Sequence, residues 1–141
     1  MLTAIIPIDL KRRPKDIIRK AINIAEATKN NNIKVIFGHG NRFTTYDRTF
    51  TRLLNGYENV HVKSCDNFSK AINASLLRNQ AFKSVESEYV ILLDVDIYPD
   101  FNLFEKYKEK IKSGIKPFYI LPCLYLTKYG TSILNDRNAS I

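Results

Sequence analysis

The chain has 141 residues, 45% hydrophobic and 26% charged, with a formal charge of +8 at pH 7 and a pI near 9.5. That length suits one domain with a substantial core, and the composition excludes a disordered or collagen-like chain. No apolar run reaches the length of a membrane span, and the start, MLTAIIPIDLKRR, places its apolar part before its basic part, the reverse of a signal peptide.

The two cysteines, Cys65 and Cys123, lie far apart with no CxxC spacing. They suggest small core residues in a reducing cytoplasm rather than a disulfide framework. The basic excess is uneven. Lys11, Arg12, Arg13, Lys15, Arg19 and Lys20 face one acid, Asp16, within eleven residues. Such a segment suits nucleic acid, acidic lipid or a phosphorylated ligand, or is simply a solvated helix start.

In chain order, Thr3 to Ile8 predicts a short buried strand. Pro14 opens a helix to about Lys29, with Ile17, Ile18, Ala21, Ile22 and Ala25 on its apolar side. Ile33 to Phe37 is a second strand. GHGNRFTT is a loop, in which His39 is expected to be exposed, and Tyr46 to Leu54 is a short helix. Val60 to Val62 is a weak third strand. Asn67 to Val85 is a long helix capped by Asp66 or Asn67. Tyr89 to Leu93 is the fourth strand, Phe101 to Lys112 a helix, and Phe118 to Leu126 a final strand.

Strands alternating with helices predict an α/β fold: a mainly parallel sheet with helices on both faces. The unbroken apolar run YVILL reads as a strand buried on both sides. Ligands of such sheets bind beyond the carboxyl ends of the strands. The basic segment after strand one and the carboxylates after strand four belong to that rim.

Asp94-Val95-Asp96 follows the fourth strand directly. In extended backbone, residues two apart point the same way, so both carboxylates would need a shared counter-charge. Mg²⁺ or Mn²⁺ with a diphosphate is one choice, since hard cations prefer oxygen ligands. An ordinary polar loop, with Asp100 capping the next helix, is the other. On the long helix, Phe68, Ala71, Ser75, Phe82 and Val85 form one face at about 100° per residue, with Arg78 in its middle. An arginine on a core-facing stripe needs a partner, and Asp94, Asp96 or a bound nucleotide can supply it.

These residues together resemble the family 2 glycosyltransferases of the GT-A fold, more narrowly the capsule and polysaccharide type. TAIIPI is similar to the family's first strand with its proline. NASLLRNQAFKSVESEYVILLDVDIYPD is similar to its helix with Arg-Asn, the turn, the apolar strand and the DxD motif. PCLYLTKYGTSIL is similar to the strand and helix that follow in capsule-type members. The likeness covers essentially the whole chain, but only the amino-terminal half of a family catalytic domain. It implies one nucleotide-sugar-binding domain over residues 1–141, with a Rossmann-like sheet and the acceptor-binding half missing.

The resemblance implies transfer of a sugar from a nucleoside diphosphate sugar, UDP-linked by preference, to a hydroxyl of a saccharide or lipid-linked acceptor, with inversion. Asp96 matches the direct ligand of a divalent metal, Mn²⁺ or Mg²⁺. Asp94 matches the contact to the ribose, or to the metal through water. Arg78 matches the helix arginine lining the nucleotide pocket, and Pro7, Ile8 and Asp9 match the strand end bordering the base. Asp9-Leu10 stand where the family has an aromatic residue and an asparagine, and Gly38-His39-Gly40-Asn41 where it has an acidic pair. No residue, Asp136 included, is assigned as the general base. The implied location is cytoplasmic, at the inner face of the membrane. A truncated, non-catalytic binding module is the alternative reading. A basic nucleic-acid-binding domain is a third; no recognised motif supports it, and nucleic acid is not an expected partner.

Overall fold

The structure, a computed structural model, describes residues 1–66, 73–97, 100–114, 116 and 118–120. The chain divides into two compact units, Met1–Pro99 and Asp100–Ile141. The first contains β1 (Leu2–Ile8), α1 (Pro14–Lys29), β2 (Ile33–Gly40), α2 (Thr45–Leu54), β3 (Val60–Cys65), α3 (Ala74–Phe82) and β4 (Tyr89–Leu92). In the second, α4 (Phe101–Lys112) is capped by Asp100, whose carboxylate accepts the amides of Asn102 and Leu103, as expected.

The four strands form one parallel sheet in the order β3-β2-β1-β4. The alternation of strands and helices therefore gives the expected α/β, Rossmann-like arrangement. β1 and β2 are central, and their apolar runs are buried almost throughout. Right-handed crossovers put α1 and α2 on one face, because the chain steps the same way from β1 to β2 to β3. It then reverses to reach β4, so α3 lies on the other face. Packing agrees. Ile5 and Ile36 meet Ala81 of α3, with Val85 and Val90 against them. On the opposite face Phe37 meets Phe50 of α2 edge to face, with ring centroids 5.6 Å apart.

Pro14 starts α1, and Ile17, Ile18, Ala21, Ile24, Ala25 and Thr28 are its buried residues. Ile22, expected inside, sits on the flank. Thr44 and Asp47 form a reciprocal capping box at the start of α2.

Several expectations are corrected. α3 starts at Ala74, capped by Asn73 rather than Asp66 or Asn67; Phe68 and Ala71 lie outside the described residues. The core face of α3 is Leu77 and Ala81, while Ser75 and Phe82 are exposed. The error is one of phase: a stripe drawn through Arg78 runs along the flank. β2 continues to Gly40 and β3 to Cys65 because they pair with each other along that whole length. β4 is the outer strand among the described residues, and Leu92 is 60% exposed, so YVILL is not sealed on both sides. Residues 118–120 are not in a strand; the rest of that expected strand, with Cys123 and Asp136, lies outside the described residues.

Candidate functional site

The sheet order creates a topological switch point. β1 continues to β2 on one side, while β4 arrives on the other. Between the carboxyl ends of β1 and β4 the chain direction switches, which is where open α/β sheets bind ligands. Asp94 and Asp96 lie at this point.

The backbone there follows from Pro7. Ile5 accepts a hydrogen bond from the amide of Leu93, so Ile5, and Pro7 two residues on, direct their backbone groups towards β4. Pro7 has no N–H to offer the next carbonyl, and the β1–β4 ladder stops at the Ile5–Leu92 pair. The freed chain turns: the amide of Ile97 donates to the carbonyl of Asp94 at 3.1 Å.

That turn overturns the expectation that the two carboxylates point together. Asp94 Oδ1 accepts from Arg78 of α3 at 2.6 Å. Asp96 Oδ1 accepts from Lys20 of α1 at 2.5 Å, and its Oδ2 lies 3.6 Å from Arg13. The two acids thus take their cations from helices on opposite faces of the sheet. One expected partner, Arg78, is correct. The basic segment supplies the other, an ion pair that spans 76 positions of sequence.

Asp16 ties the basic side together. It accepts from Arg19 at 2.6 Å and lies 3.1 Å from Lys20 and 3.3 Å from Arg13. Burial works to raise the Asp16 pKa, but the hydrogen bonds from Arg19 and Lys20 outweigh it and hold it below the ordinary value. Burial works to lower Lys20, but Asp96 and Asp16 hold it above its ordinary value. Arg13 occupies the left-handed region at φ 49°, as the residue before α1.

Of the other residues implied by resemblance, Ile8 is fully buried, so only its backbone could border a ligand. Asp9 follows it and accepts from the amide of Lys11 at 2.9 Å and from Nε of Arg42 at 3.2 Å. Sequence reasoning missed Arg42, Lys20 and Arg13 as partners. Their cationic type was visible; their positions depend on long-range packing.

His39 is the other correction. It is fully buried, not an exposed loop residue. It lies on β2, packs on Phe50 at 4.8 Å, and meets Asp47 Oδ1 through Nε2 at 2.7 Å. Burial pushes the imidazole pKa down, outweighing the pull of Asp47. Burial alone would raise Asp47, but hydrogen bonds from Thr44 and His39 hold it low. The pair is therefore neutral histidine donating from Nε2 to an ionised carboxylate. Nδ1 has no partner among the described residues. His39 points into the α2 packing.

No protein-family model matches the chain, and neither does any curated protein. Among solved structures, S. aureus TarS 1-349, a family 2 glycosyltransferase, has a similar fold. The TM-score is 0.55 at 16% identity, over 79% of this chain and 32% of that one. The fold is glycosyltransferase-like. This chain spans about a third of the TarS structure. Among the described residues no helix is long and apolar enough to cross a membrane, and no group of three or more His, Cys, Asp or Glu gathers as a metal centre.

Proposed function

We propose that this chain is the donor-binding part of a metal-dependent glycosyltransferase. It would move a sugar from a nucleoside diphosphate sugar, UDP-linked by preference, to a hydroxyl of a saccharide or lipid-linked acceptor, with inversion, in polysaccharide or capsule synthesis. One observation carries the reading: two carboxylates stand at the switch point of a glycosyltransferase-like sheet, each matched by a cation from a different helix.

Asp94 and Asp96 supply the hard oxygens that a divalent cation takes, two residues apart on one turn. Both side chains are at least half exposed, and their present ion pairs would have to open for them to share it. A cation bound there with a diphosphate would neutralise charge developing on the leaving group. Asp96 would be its direct ligand, and Asp94 would contact the ribose or reach the cation through water. Arg78 holds Asp94 through its terminal Nη2. Pro7 and Asp9 would border the base.

The test is thermal stability with a panel of nucleoside diphosphates, with and without Mn²⁺. A rise in Tm with UDP that requires Mn²⁺ and disappears in Asp96→Asn supports the reading. No metal-dependent rise with any nucleotide contradicts it.

A second reading, a donor-binding module without turnover, is favoured by the three carboxylates at the ends of β1 and β4. Asp9, Asp94 and Asp96 are all ion-paired, so none stands ready as a general base. Sugar transfer by this 141-residue chain would exclude it.

The inner face of a membrane is the proposed location. Residues 11–52 hold eleven of the 22 Lys and Arg but only three of the 14 Asp and Glu, so this segment accounts for the whole +8. Phe43 and Tyr46 are exposed within it. Basic side chains beside exposed aromatic rings suit an anionic lipid surface.

A further inference from the structure

Asp96 has both oxygens engaged. Lys20 stands 2.5 Å from Oδ1, and Arg13 stands 3.6 Å from Oδ2. Both cations are shared with Asp16, which Arg19 also contacts. The cluster thus has three cations against two carboxylates, an excess of one positive charge. A divalent cation approaching Asp96 alone meets two like charges at the oxygens it needs.

A diphosphate changes this balance. Its oxygens can accept the hydrogen bond that Lys20 now gives to Asp96 and draw off the Arg13 guanidinium that faces Asp96 as an ion pair; charge-assisted hydrogen bonds to phosphate suit both side chains. Asp16 keeps a hold on each cation while it changes partner. Arg13 can move, since its side chain is 60% exposed. Lys20 is 19% exposed, but its long stem needs only to swing its terminal ammonium.

We propose, resting on the donor-site reading above, that Arg13 and Lys20 form the diphosphate subsite and at the same time a latch on Asp96. Without nucleotide they hold Asp96 closed to a divalent cation. With nucleotide they turn to the phosphates and release the carboxylate. Metal loading is thereby conditional on the diphosphate.

The experiment uses the full chain with Mn²⁺ alone, followed by the electron-paramagnetic-resonance signal of free Mn²⁺, and then UDP and uridine titrated by calorimetry in the presence of Mn²⁺. Lys20→Met and Arg13→Met are compared with the unsubstituted chain, with circular dichroism reporting their fold. The exposed Arg13 variant keeps the test open should the Lys20 variant be unstable. The expected result is that both variants bind Mn²⁺ alone at least about tenfold more tightly and UDP at least about tenfold more weakly, the scale of one lost charged hydrogen bond. Uridine affinity is unchanged. Folded variants that bind Mn²⁺ alone no better than the parent, while the parent binds UDP with Mn²⁺, overturn the latch and leave the donor site standing. Equal losses for UDP and uridine overturn the phosphate subsite. A parent chain that binds no UDP with Mn²⁺ overturns the donor-site reading, and the latch with it.

Discussion

Gly38 of β2 lies against Leu77 of α3 so closely that a Cβ added to the glycine would fall 2.4 Å from the Leu77 carbonyl oxygen. Leu77 is fully buried, and the neighbouring residue on α3 is Arg78. The missing side chain at position 38 therefore sets the height of the helix that holds Asp94.

Gly38→Ala should force α3 away from the sheet, since the contact is with backbone and cannot be relieved by a rotamer. Overpacking of this kind costs about 1–3 kcal/mol. In urea unfolding the midpoint should fall with little change in slope. Because α3 carries Arg78, the same variant should also bind UDP with Mn²⁺ more weakly. An unchanged midpoint would show that α3 is free to shift without cost.

His39 gives the fold a pH dependence. Burial lowers its pKa below the ordinary 6.5, so the unfolded chain takes up a proton that the folded chain refuses. Stability is full above the ordinary histidine range and falls as pH drops through 6.5 towards the lowered value, by at most about 1.4 kcal/mol per pH unit. Asp47, with its pKa held low, adds a second loss only in the acid range. The other histidine, His61, is exposed. Urea titrations at pH 7.5, 6.5 and 5.5 should show a steady loss in the parent chain and a flatter profile in His39→Gln. Parallel profiles would remove His39 as the cause.

The fold was legible in the sequence where local pattern and global packing agree. Pro14, the apolar spacing of α1 and the unbroken runs of β1 and β2 define the centre of the sheet. β4 was misjudged because YVILL looks the same in a central strand and in an outer one. His39 was misjudged because GHGN has the composition of a loop, while its pairing with β3 is a long-range property. At the site, Asp94, Asp96 and Arg78 were legible as residues that need partners. The splaying of the two carboxylates was not, because it depends on Pro7 ending a ladder with a strand more than eighty residues away.

Arg78→Ala separates binding from stability. The Arg78–Asp94 pair is partly exposed, with the Asp94 side chain 60% open to solvent, and pairs of that kind contribute about 0–1 kcal/mol. Thermal melts should move little, while UDP affinity with Mn²⁺ should fall at least about tenfold through the loss of a charged donor. A large drop in Tm with unchanged affinity would make Arg78 a structural residue only.

The basic segment should respond to lipid charge. Vesicles containing anionic phosphatidylglycerol should co-sediment the chain at low salt, and neutral phosphatidylcholine vesicles should not. Added salt should release it, because the attraction acts within a Debye length of about 8–10 Å. Lys15→Glu together with Arg19→Glu should weaken retention. Equal retention on both vesicle types would remove the electrostatic account.

The central claim is that Asp96 belongs to a metal-dependent nucleoside diphosphate site. Calorimetry of UDP in the presence of Mn²⁺, with the parent chain and Asp96→Ala side by side, tests it most directly. The account predicts binding by the parent that is lost with chelator and lost in the variant. Equal affinity in the two proteins with metal present would contradict it.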